Sequence, residues 1–220
     1  MGEMNCVADE SANCEECELN GKLLCRFDPA FSKKFTALNL IYRLVACIIL
    51  TLGGILTQTW WPLLLYAIIN ILNFILIKPW LLCAHCPYYQ KEGKYLRCWA
   101  LRGMPKIRKY QPGPMSKIEK SSMLIIGGFI DLFAFVMWIF YIIWYFVNKE
   151  EKRVILIGLI VVGVLFLGLM IFLNKFLQGG TCKKCPNYAC PMNKTPKEYL
   201  KMFLDKDQNQ RIKNAWEKEN

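Results

Sequence analysis

The chain has 220 residues, 55% of them hydrophobic and 14% aromatic, yet it carries a formal net charge of +11. So apolar a composition excludes an ordinary soluble domain and points to apolar spans with basic flanks. Attraction to anionic lipid headgroups accounts for basic residues in such positions, so nucleic acid is not an expected partner.

Residues 1–35 form an acidic, Cys-rich segment in which Glu3, Asp9, Glu10, Glu15, Glu16 and Glu18 precede the first Lys. No cleavable signal is expected ahead of the first span, and Cys6 stands where N-myristoylation requires Ser or Thr. Cys6, Cys14, Cys17 and Cys25 make a symmetric C-x7-C-x2-C-x7-C array. Such thiols either close on one ion or remain separate in a tail with little core of its own.

Four apolar runs follow: Thr36 to Leu56, Trp60 to Lys78, Ser121 to Val147 and Val154 to Phe176. Each reaches the length of about 20 residues needed to cross a hydrocarbon core, and lipid leaves the helix as the only way to satisfy their backbones. The expected fold is therefore an all-α integral membrane protein. Its four transmembrane helices form two hairpins, 36–78 and 121–177, with Cys-rich cytoplasmic loops and a short C-terminal amphipathic helix. Trp60, Trp61, Trp80, Trp144 and Tyr145 sit at span boundaries, where amphipathic rings belong, and Pro62 occupies a first helical turn.

All but four of the 28 Lys and Arg residues fall in 1–35, 78–120 and 175–220; the exceptions are Arg43, Lys149, Lys152 and Arg153. The positive-inside rule then places both termini and the central loop in the cytoplasm of a multi-pass plasma-membrane protein.

Polar residues interrupt the spans. At 1.5 Å per residue, Asp131 lies about 15 Å deep, Arg43 about 10 Å and Asn70 about 12 Å. A buried charge costs about 2.5–3.5 kcal/mol on insertion scales, so an Arg43–Asp131 pair braced by Asn70 and Asn73 is the economical arrangement. The alternative is an Arg43 that snorkels and a neutral Asp131. Cys47 reads as a small apolar residue. Gly158, Gly163 and Gly168, spaced by five, do not make a GxxxG face and are expected to thin the fourth helix for packing.

The loop 79–120 is long enough to be functional. It opens with Cys83-Ala84-His85-Cys86-Pro87-Tyr88-Tyr89, carrying the only histidine, and adds Cys98. Residues 178–220 open with a near copy, Cys182-Lys183-Lys184-Cys185-Pro186-Asn187-Tyr188, and add Cys190. Cys, Cys, Pro and Tyr thus recur at identical offsets, as in an internal repeat of two parallel halves. After Cys190, Thr195-Pro196-Lys197-Glu198 predicts a helix with Thr195 as N-cap and Pro196 first. Its apolar residues Tyr199, Met202, Phe203, Ile212 and Trp216 would lie on the membrane or on the cysteine-bearing loop.

In a reducing cytoplasm, paired cysteines are metal ligands or catalytic thiols rather than disulfides. Cys83, Cys86, Cys182 and Cys185 would complete a four-thiolate site. Cys98, Cys190 and His85 would form a partial second set, with the N-terminal cysteines able to contribute. His85 is a polar turn residue, a metal ligand or a proton carrier. Helical hairpins joined to cytoplasmic Cys-Pro motifs are similar in outline to membrane electron-transfer proteins, although those space their cysteines by three. The resemblance covers these motifs only and implies iron-sulfur chemistry.

Three functions follow. The first is iron-sulfur electron transfer to or from a redox partner protein or a quinone, with the intramembrane polar cluster handling the coupled proton. The second is a non-enzymatic scaffold or regulator stapled by zinc. The third is thiol-disulfide exchange. Metal-ion transport is disfavoured by the scarcity of soft ligands within the spans. No P-loop, HExxH, GxSxG or GxGxxG element offers a seat for nucleotide or hydrolase chemistry, and a single histidine cannot ligate a b-type haem twice.

Overall fold

The computed structural model describes residues 6–8, 13–149 and 151–218. Met1, Gly2, Glu3, Asp9, Glu10, Glu219 and Asn220 lie outside them. The chain is helical and divides into two compact units. One comprises 37–73 and 125–174; the other gathers 1–36, 74–124 and 175–220.

Four helical segments among the described residues are long and apolar enough to cross a membrane. Helix α1 is Pro29–Thr57; its entry is fixed by Asp28, whose carboxylate accepts from the Ala30 and Phe31 N–H groups at 2.8 and 3.2 Å. Helix α2, Trp61–Leu72, has Pro62 in its first turn. It continues through a π-helical turn, Asn73–Ile77, into α3, Lys78–Leu81. The widened turn stands just ahead of Pro79, which lacks the N–H that would bond one turn back and crowds the carbonyl there.

Helix α4, Lys117–Val147, starts four residues before the expected Ser121. Ser116 and Glu119 form a reciprocal capping box: the Glu119 carboxylate accepts from the Ser116 N–H at 2.9 Å, and the Ser116 hydroxyl accepts from the Glu119 N–H at 3.2 Å. Helix α5 is Arg153–Gly179.

In the apolar unit these four segments share one core that includes Ile49, Leu50, Tyr66, Ile130, Tyr141, Leu159 and Phe166. Cys47 packs at its margin. The outward faces carry bare apolar side chains such as Leu64, Ile68, Val161 and Val164. These faces imply contact with a lipid bilayer. Of the three spaced glycines, Gly163 faces the Trp138 indole and Gly158 faces Leu52, whereas Gly168 meets nothing within 4 Å.

The second unit has a core of Leu19, Leu23, Cys83, Tyr88, Tyr89, Leu96, Cys98, Phe203 and Ile212. The C-terminal segment forms two short helices rather than one: α6, Lys197–Leu204, and α7, Gln210–Glu217. Their apolar residues Phe203 and Ile212 are buried in that core, so this face packs on the cysteine-bearing segments. Thr195 is not the N-cap of α6. Pro196 takes that position in an extended conformation, and the Thr195 hydroxyl instead donates to the Cys182 and Cys185 carbonyls at 3.2 and 3.0 Å. Closing the cysteine turn outcompetes capping the helix.

Candidate metal centre

Ten of the eleven cysteines lie in the second unit, and all eleven are free thiols. They fall into two sets. Cys83, Cys86, Cys98, Cys182, Cys185 and Cys190 form one, linked pairwise within electrostatic reach: Cys86 to Cys83, Cys98 and Cys185, and Cys185 to Cys182, Cys190 and Cys98. Cys25 is in reach of Cys6, Cys14 and Cys17, which form the other. Among the described residues no three His, Cys, Asp or Glu side chains close on a single-ion position.

The six-thiol set is assembled from three chain segments, each with its own turn. Cys83 opens a 3-10 turn that bonds the Cys86 N–H to the Cys83 carbonyl at 2.9 Å. Cys98 rides on a small hairpin in which the Leu96 N–H donates to Met104 and the Gly103 N–H to Leu96; Gly103 adopts φ +81, where glycine is favoured. In the third segment Asn193 donates to the Cys185 and Asn187 carbonyls at 2.8 and 2.9 Å, and the Lys194 N–H bonds the Cys182 carbonyl. Asn193 and Thr195 therefore hold the Cys182–Cys190 turn closed.

One local device recurs three times. In Cys86-Pro87-Tyr88, Cys185-Pro186-Asn187 and Cys190-Pro191-Met192, the backbone amide two residues after the cysteine favours its thiolate, against the larger opposing effect of burial. Proline has no N–H of its own and fixes φ, which turns the next amide toward the sulfur. Cys98 is served similarly by the Leu101 N–H at 3.1 Å. Amide dipoles aimed at sulfur favour the thiolate over the thiol. Burial works in the opposite direction: it pushes the Cys86, Cys98 and Cys185 thiols up, and Cys190 to about 11. A thiophilic cation would relieve that cost by supplying the missing positive charge.

His85 is engaged by loop 79–120. Its Nδ1 lies 2.9 Å from the Gly113 carbonyl oxygen, and its Nε2 is 3.6 Å from Glu119, which also pairs with Arg108 at 2.7 Å. The Gln111 N–H bonds the Ala84 carbonyl, and Tyr89 donates to the Arg108 carbonyl at 2.5 Å. The histidine thus belongs to the polar framework of loop 79–120.

In the apolar unit Arg43 Nη1 stands 3.5 Å from Asp131 Oδ1. The bracing residues are tyrosines, not asparagines: Arg43 donates to the Tyr66 hydroxyl at 3.4 Å, and Tyr42 donates to Asp131 at 3.3 Å. Asn70 Nδ2 donates instead to the Tyr66 carbonyl of its own helix, satisfying itself locally. Asn70 Oδ1 and Asn73 Nδ2 are buried without a hydrogen-bond partner among the described residues.

Sequence reasoning missed Tyr88, Asn193, Thr195 and Asn209 as positioning residues. Only the amide turn could have been anticipated, from the thrice-repeated Cys-Pro. Comparison with protein-family models, with curated proteins and with solved structures found no match.

Proposed function

We propose that this chain is a multi-pass plasma-membrane protein with both termini cytoplasmic, whose six-thiol set binds an iron-sulfur cluster that carries electrons between a redox partner protein and a membrane quinone. The observation that carries the reading is the gathering of six thiols from three chain segments into electrostatic reach of one another, with the Leu101 N–H donated to the Cys98 sulfur at 3.1 Å. Hydrogen bonds to ligand sulfur are a principal means by which proteins set cluster potential. When bound, the cluster supplies one-electron exchange. Quinone reduction also consumes protons, and the Arg43, Asp131, Tyr42 and Tyr66 group is the polar chemistry within the spans suited to that task.

Thiol-disulfide exchange is not favoured. An exchanging thiol must be accessible and acidified, whereas burial pushes Cys86 and Cys185 the other way. A zinc-held, non-enzymatic scaffold is the second reading. It is favoured by the small elements of the cysteine unit, whose core is built partly from Cys83 and Cys98, so that metal binding would contribute folding energy directly.

Anaerobic purification separates the two. Iron with acid-labile sulfide and a brown absorbance supports the first reading, whereas colourless protein with stoichiometric zinc selects the second.

A further inference from the structure

We propose that Cys6, Cys14, Cys17 and Cys25 form a second, separate centre that binds a polynuclear iron-sulfur cluster. All four line one cavity of about 760 Å³, walled on its apolar side by Leu19, Leu23 and Phe203. Cys25 is within electrostatic reach of the other three. Yet no three of these thiols close on a single-ion position. Zinc holds each sulfur at ~2.3 Å, which brings its ligands within about 4 Å of one another. A [4Fe–4S] cluster seats each cysteine sulfur on a different iron, so its ligands stand further apart around a larger space. Four thiols spread around one cavity match the second geometry.

Each ligand segment is fixed by the fold. Asn209, fully buried, accepts from the Cys6 N–H at 3.1 Å and donates to the Cys6 sulfur at 3.2 Å. Arg26 is within electrostatic reach of Cys14, a cation beside the proposed thiolate ligand. The Cys17 carbonyl accepts from the Asn20 N–H at 2.8 Å. Cys25 is placed by its neighbour Leu24, whose N–H bonds the Lys184 carbonyl at 2.7 Å and whose carbonyl accepts from the Tyr88 hydroxyl. Leu24 is thereby tied to both Cys-x2-Cys turns. The second centre shares no ligand with the first.

The test uses the full chain, purified anaerobically, in three forms: wild type, C6S/C14S/C17S/C25S, and C86S/C98S/C185S/C190S. With both centres real, each quadruple variant retains about half the wild-type iron and acid-labile sulfide. Wild-type iron in the N-terminal variant overturns the second centre, as does one zinc per chain that this variant loses. Iron retained in the other variant, and absent only when the N-terminal set is removed, supports the second centre while overturning the first. The single variant C14S, altering one half-buried thiol, guards against misfolding: it must change the electron paramagnetic resonance signal of one cluster while leaving the other intact. An unchanged spectrum overturns the proposal.

Discussion

Arg43 and Asp131 meet at 3.5 Å within the helical unit, and each is held by a tyrosine, Tyr66 and Tyr42 respectively. Removing one charge strands the other among apolar side chains, which costs about 3 kcal/mol. R43A and D131N should therefore destabilise detergent-solubilised protein to similar extents, and the double variant should be little worse than either. Unfolding of all three in increasing dodecyl sulfate checks this. Strict additivity would show that the two side chains do not act as a pair.

The Arg43–Asp131 pairing was legible because a charge in an apolar run must find a partner, and these are the only opposite charges deep within the runs, Lys78 and Lys175 standing at their ends. Its braces were not legible. Asn70 can satisfy itself on the Tyr66 carbonyl one turn back, whereas a tyrosine brings its hydroxyl across to a neighbouring helix, and hydropathy carries no record of that reach. The four apolar helices announced themselves by length, but α4 begins at Lys117 because of the Ser116–Glu119 capping box, a four-residue signal masked by the polar stretch around it. Spacing exposed the cysteine motifs. The symmetric N-terminal spacing already groups Cys25 with Cys6, Cys14 and Cys17, whereas that Cys98 joins Cys86 and Cys185 depends on long-range packing that no local pattern encodes.

Amide donors distinguish four sulfurs within the six-thiol set. At Cys86, Cys98, Cys185 and Cys190 a neighbouring backbone amide favours the thiolate, which marks these four as the expected ligands of the proposed cluster, so C83S and C182S should keep its iron. C86S, C98S, C185S and C190S should each lose or convert it. Iron content and absorbance of the six single variants provide the measurement; equal loss from C83S or C182S would assign the ligands to the Cys-x2-Cys pairs instead.

Gly163 and Gly168 lie on one helix but face different surroundings. A Cβ at Gly163 would overlap the Trp138 indole, whose Nε1 donates to the Leu159 carbonyl at 2.8 Å. G163A should displace that ring and cost about 1–3 kcal/mol. At Gly168 the space is open within 4 Å, so G168A should be neutral or stabilising by up to about 1 kcal/mol through helix propensity. Thermal aggregation of the two variants in detergent gives the comparison, and equal effects would remove the packing role assigned to Gly163.

Alkaline pH should separate metal-free from loaded protein. Burial first, and then the neighbouring thiolates, push Cys25 from the ordinary thiol value of 9.0 to about 12, and burial raises Cys190 to about 11. In metal-free protein the folded state keeps protons that the unfolded chain releases above its ordinary value. This contribution is complete below about pH 9 and is lost as pH rises through the folded values. The melting temperature of metal-free protein should hold steady from about pH 7 to 8.5 and fall between about 9 and 12. Loading has the opposite slope, because each bound thiolate must first release its proton, and apparent affinity then rises up to about tenfold per pH unit for each proton displaced. Cobalt(II) titrations at about pH 6.5, 7.5 and 8.5, followed by sulfur-to-metal charge-transfer absorbance, should tighten in that order. An affinity that ignores pH would mean that thiols are not the ligands.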